Sequence, residues 1–259
     1  MTNKKASTSH PLAVEDDWRL HATARLSSDW HNPWSGEVVP TGTRLTVSTV
    51  VKLDSKRELT IPHPSAVALF LSASARAFTA GREIRDRSGI DHTLKPNPTF
   101  ASDGDALDYL ERMSEAVILA FTALEAFVNE TIPESYEYAR HARSPIILEV
   151  SRKPAIERFT PIDEKLCFVL PDVLKCSSPR QSRCWSAYKN LKQCRDRLIH
   201  LKTADSKSAS AEVDTIWKLL FRLVAPHQTV KGVVDHFAKA MENVPPWYGR
   251  FPKNVGQNK

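Results

Sequence analysis

Apolar positions recur with a helical period over most of this chain and with a strand period near its start. Ser65 is placed to cap a helix running to about 86, whose inner face takes Val67, Leu71, Phe78 and Ile84. A loop holding two glycines and two prolines follows, and then a helix from 105 to about 131, stopped before Pro133. The middle of that helix (Val117, Ile118, Leu119, Phe121, Leu124, Phe127, Val128) is apolar on most sides, as expected at the centre of a bundle. A third helix, 182–202, carries a stripe through Cys184, Tyr188, Leu191, Cys194 and Leu198. Shorter helices are expected at 135–143, 161–170 (interrupted by Pro171), 211–223 and 229–242.

Ahead of the helices the period changes to two. Residues 44–51 alternate and are rich in Val and Thr, Asp54-Ser55-Lys56 offers a turn, and 57–61 can return as the second strand. Residues 1–35 carry little periodic signal and the first ten are expected to be disordered. The expected fold is mainly α, a helical bundle over 63–243 with an N-terminal β-hairpin extension over 1–62. A Pro/Gly/Lys-rich tail, 244–259, is expected to be superficial or mobile.

Composition removes several classes of function. The longest apolar runs, 66–80 and 116–128, are too short for a bilayer and contain Arg76 and Glu125, so no membrane span is expected. The first ten residues lack the apolar core of a signal peptide, which predicts a cytoplasmic protein. Cys167, Cys176, Cys184 and Cys194 form no C-x-x-C pair, so neither zinc nor a disulfide framework is expected. Phosphate-loop, dinucleotide, nucleophile-elbow and zincin motifs are absent, and no cofactor or metal is expected.

Charge brings in a candidate chemistry. The chain carries +6 overall, yet residues 175–202 hold eight Lys/Arg against one acid, a local +7 that leaves −1 for the remainder. Such a field suits a polyanion such as RNA, and Lys189, Lys192, Arg197 and Lys202 are the expected nucleic-acid contacts. Within this segment Arg195 projects into the apolar stripe between Leu191 and Leu198, where a guanidinium needs a partner or a cleft. His200 lies five residues on, about 140° further round an ideal helix, beside Asp196. The central helix offers a partner line, Glu111, Ser114, Glu115, Thr122, Glu125 and Asn129, with Glu125 as the expected counter-ion of Arg195. An imidazole that can move protons near neutrality and a guanidinium that can hold a phosphate together suit metal-free RNA cleavage.

Arg195-Asp196-Arg197-Leu198-Ile199-His200 resembles the signature of the HEPN family (higher eukaryotes and prokaryotes nucleotide-binding domains), an Arg followed by a polar residue with four to six residues before a His. The apolar helix ending Ala123-Leu124-Glu125-Ala126-Phe127-Val128-Asn129-Glu130 is similar to one common in such domains. The same spacing recurs at Arg25–His31, Arg85–His92 and Arg87–His92, but these pairs run through loop or irregular sequence. The resemblance spans two helices and implies a homodimeric bundle, with Arg/His pairs near the subunit interface. It further implies an endoribonuclease of toxin–antitoxin or phage-defence type, possessing a cognate antitoxin, or an inactive binding relative. Arg195 and His200 are then the expected catalytic pair, supported by Asp196, Glu125 and Asn129.

Overall fold

In the computed structural model, which describes residues 17–139, 151–207 and 210–251, the two apolar periods form the longest helices. They are α1 (Ala66–Arg87) and α2 (Asp103–Thr131). The Ser102 hydroxyl caps α2 by accepting the Asp105 N–H at 3.1 Å, with Asp103 and Asp105 at the positive end of the helix dipole. α1 packs along α2 closely enough for Ser74 Oγ to donate to the Ala116 carbonyl at 2.7 Å. A methyl group at Gly81 would meet Met113 Sδ at 3.1 Å, so this position keeps the two helices close. Phe121, Leu124, Phe127 and Val128 are buried, and α2 also packs on three later helices, which makes it the centre of a mainly α unit.

Those later helices are α6 (Arg183–Ile199), α7 (Ile216–Phe221) and α8 (Pro226–Ala238). Before them come a strand pair, β7 (Glu137–Tyr138) with β8 (Ser151–Arg152), and then α3 (Lys153–Phe159). The helix expected at 135–143 does not form in its described part. Pro133 has ended α2, and the Tyr136 and Tyr138 hydroxyls donate to Asp172 and Glu164 of later helices, each at 2.9 Å. The rest of that segment lies outside the described residues.

The helix expected at 161–170 is instead continuous through Pro171: α4 (Ile162–Glu164), a π-helical turn (Lys165–Val169) and α5 (Leu170–Leu174). Pro171 has no N–H to give, and the ladder widens so that the Leu170 N–H reaches the Lys165 carbonyl. α6 ends at Ile199 rather than at 202, because His200 leaves helical geometry (φ −124°, ψ 73°). α7 starts at its Thr215 cap rather than at 211, and α8 starts at Pro226, a favoured first-turn residue, and stops at Ala238.

The chain divides into two units, Met1–Ser65 and Ala66–Lys259. The first is a set of two-stranded antiparallel ribbons: β1 (Thr23–Arg25) with β4 (Arg44–Thr46), β2 (Trp30–His31) with β3 (Val38–Val39), and β5 (Ser48–Lys52) with β6 (Glu58–Pro62). The hairpin of β5 and β6 matches the expected one. The alternating run 44–51 is not one strand, however. It changes partner at Val47, whose carbonyl accepts the His63 N–H at 2.7 Å. Strands at 23–25 and 30–31 correct the view of 1–35 as irregular, while the first ten residues lie outside the described chain. The unit extends past the expected boundary at 62, because the Ser65 N–H still donates to the Arg19 carbonyl.

The tail is not superficial as far as 251. Trp247 is buried, and Tyr248 donates to Asp235 at 2.6 Å while Lys231 Nζ lies 4.1 Å from its ring centre. The aromatic residues outweigh the breaker composition that made this stretch look loose. Among the described residues no helix is long and apolar enough to cross a membrane.

Candidate functional site

α6 presents two different faces of the Arg195–His200 segment. Its inner stripe, Tyr188, Leu191 and Cys194, is buried, and burial pushes the Cys194 thiol up to about 11, so it is an inert packing group. Arg195 projects from the same side toward α2. Its guanidinium carbon lies 3.8 Å from the centre of the Phe121 ring, Nη2 pairs with Glu125 Oε1 at 2.9 Å, and Nη1 pairs with Asp196 Oδ1 at 2.9 Å. The cation in an apolar stripe is thus stabilised by an aromatic face and two carboxylates.

Asn129, one turn beyond Glu125, serves a different cation. Its Oδ1 accepts from Lys165 Nζ at 2.9 Å, and the Glu157 carbonyl accepts from the same ammonium at 2.8 Å. Lys165 is 4% exposed. Burial lowers its pKa, and the nearby Glu125 and Glu157 charges oppose that shift. The polar line of α2 is therefore split between Arg195 and Lys165 at this end. The rest of it is ordinary surface, with Glu115 paired to Arg112 and Thr122 bonded to the Ile118 carbonyl.

The opposite side of α6 borders a cavity of about 400 Å³. Lys189, Lys192, Asp196, Arg197, His200 and Lys202 line it, so all four expected nucleic-acid contacts meet the imidazole at one place. Arg195 is not part of this lining. Asp196 joins the two sides, with Oδ1 on Arg195 and Oδ2 on Lys192 at 2.5 Å.

The cations of this cavity are less free than the linear charge implied. Lys189 pairs with Asp163 at 3.0 Å, and Tyr188 donates to the other oxygen of the same carboxylate. Burial works against the Asp163 charge, but the hydrogen bonds from Tyr188 and Lys189 leave its pKa below the ordinary carboxylate value. Arg197 is a structural residue and not an available nucleic-acid contact. Its Nε and Nη2 grip Asp205 at 2.6 and 2.8 Å, and Nη2 also reaches the Asp214 carbonyl at 3.0 Å. The Asp205 side chain is wholly buried and accepts the Lys202 and Ile216 N–H groups as well. The Arg197 bonds hold the Asp205 carboxyl far below the usual range, against the cost of burial and with help from those two N–H groups. The Lys202 ammonium and the His200 imidazole, both exposed, have no carboxylate partner among the described residues.

Sequence reasoning missed Lys165, Asp163 and Asp205. Lys165 carries a weak signal, as the one polar residue directly before the apolar run Leu166-Cys167-Phe168-Val169-Leu170. The two aspartates carry none, because each is identified by a partner on another element, 26 residues away for Asp163 and 8 for Asp205. No group of His, Cys, Asp and Glu among the described residues could hold a metal ion. No family model, curated protein or solved structure matches this chain.

Proposed function

We propose that the helical unit is a HEPN-like domain that cleaves RNA without a metal, in the manner of a toxin or phage-defence ribonuclease. One observation carries this reading: His200 shares a basic cavity with Lys189, Lys192 and Lys202, directly after the helix that carries Arg195. In the proposed reaction the ribose 2′-oxygen attacks the adjacent phosphorus and its proton passes to a base. The bond from phosphorus to the 5′-oxygen breaks, and that oxygen takes a proton from an acid. The products are a 2′,3′-cyclic phosphate and a 5′-hydroxyl.

A single imidazole cannot be base and acid in the same step, and a homodimer would supply two. Ile199 and Leu201, on either side of His200, are 55% and 54% exposed, and a second copy of this chain would cover them. In that assembly Arg195 of one copy, oriented by Glu125 and Asp196, would reach the phosphate held in the cavity of the other copy, with Asn129 acting through Lys165. Lys189, Lys192 and Lys202 hold the strand. A cognate antitoxin would act by covering the same cavity, in the cytoplasm where RNA is available.

Purified protein in EDTA should cleave RNA and leave 2′,3′-cyclic ends, and His200→Ala should abolish cleavage without changing the melting temperature. Cleavage that persists in that variant removes the assignment. The second reading is a HEPN-like binding or scaffolding module without chemistry. It draws on the ion pairs that occupy Arg195, Lys189, Lys192 and Arg197, and it predicts RNA binding without cleavage, unchanged by His200→Ala.

A further inference from the structure

A second cavity of about 350 Å³ adjoins the first. It lies where α6 meets the end of α7 and the start of α8, and Gln193 and Leu219 line both cavities. The two differ in chemistry. The first is bordered by cations and by His200. The second has apolar walls from Leu191, Leu223 and Val224, interrupted by the amides of Asn190 and Gln193 and by the guanidinium of Arg222. Asn190 and Gln193 are three residues apart on α6, so their amides are neighbours on one face. None of these three polar side chains bonds another described residue, in contrast to the paired cations of the first cavity.

We infer that this second cavity receives an unpaired nucleobase of the strand whose phosphate lies in the first. The inference rests on the proposed RNA reading of the first cavity. A base is a flat apolar ring with donors and acceptors on its edge, and single-stranded RNA is read by splaying such rings into pockets. The apolar walls fit the ring. Asn190 and Gln193 can each give and take a hydrogen bond at the base edge, and Arg222 donates to ring or carbonyl acceptors. The shared residues Gln193 and Leu219 place the base site next to the phosphate site, as the short link between a nucleotide's base and phosphate requires. The substrate class implied is single-stranded RNA, because a paired base cannot enter.

The test uses wild-type full-length chain and 2′-O-methyl pentamers, in which the attacking oxygen is blocked and binding is separated from cleavage. The host pentamer is wholly abasic, and the guest carries one central base on the same backbone. Fluorescence anisotropy should show the guest bound about tenfold more tightly than the host. Asn190→Leu and Arg222→Leu, both on exposed positions, should remove this preference at unchanged melting temperature, with host affinity unchanged in the first and lowered only about threefold in the second by the lost charge. Equal affinity for guest and host, or a preference that survives both substitutions, overturns the base site while the phosphate reading of the first cavity stands. If neither pentamer binds, the RNA reading falls and the base site falls with it.

Discussion

Arg195 and Arg197 stand two residues apart on α6 and meet opposite fates. Arg197 is locked to a fully buried carboxylate through two short bonds, with its side chain 10% exposed. Arg195 lies over Phe121 against a Glu125 side chain that is 48% exposed and that a phosphate could displace. The difference shows that a basic helix read along its sequence is a mixture of scaffold and site, and that the partner's burial separates them. His200 extends the contrast: it follows the helix end, borders open solvent and carries no carboxylate.

The comparison can be broken by substitution, beginning with the largest expected effect. His200→Ala should abolish RNA cleavage in a gel assay, a loss of at least about 10²-fold as expected for a proton-transfer group, with no loss of fold. Asp205→Ala should be the costliest change to stability, about 3 kcal/mol in urea unfolding, because it leaves a guanidinium without its buried partner. The same pair predicts an acid response. The Asp205 carboxyl has a lowered folded pKa, so its contribution is complete above the ordinary carboxylate range and is lost as the pH falls below it. Melting temperature measured from pH 6 downward should therefore drop through that range in the wild type, and less steeply in Asp205→Ala.

Glu125→Ala should lower cleavage about tenfold through a disordered Arg195, while stability moves by less than about 1 kcal/mol because the Glu125 carboxylate is half exposed. A larger loss of stability would put Arg195 in the same structural class as Arg197. Lys202→Ala should have the smallest effect, weakening RNA binding about threefold at low salt, as the loss of one exposed phosphate contact does.

The helices that frame the site were legible because burial imposes its period on the sequence: α1, α2 and α6 lie where Val67–Ile84, Val117–Val128 and Tyr188–Leu198 predicted them. The pairing of Arg195 with Glu125 was legible for the same reason, since each interrupts an apolar face. What stayed hidden depends on long-range partners. Asp163 and Asp205 neutralise Lys189 and Arg197 from outside the basic helix, so the +7 of the sequence was never a property of the folded surface. The change of strand partner at Val47 is set by His63, sixteen residues away, and no local pattern records it. Trp247 was misread because prolines and a glycine around it suggested a loose tail, whereas one buried indole is enough to hold the segment.

The carboxylates on the cavity's cations also govern how its affinity should respond to ionic strength. Binding a phosphate to a bare lysine releases a condensed counter-ion, and each release steepens the fall of affinity with salt. Lys189 and Lys192 already hold Asp163 and Asp196, and a phosphate arriving there exchanges one fixed anion for another. Arg197 does not take part, which leaves Lys202 as the cation of that group without an internal anion among the described residues. A plot of log affinity against log salt should then have a slope nearer one than four. The protein would lose only about tenfold in affinity for each tenfold rise in salt, where a slope of four would cost about 10⁴-fold.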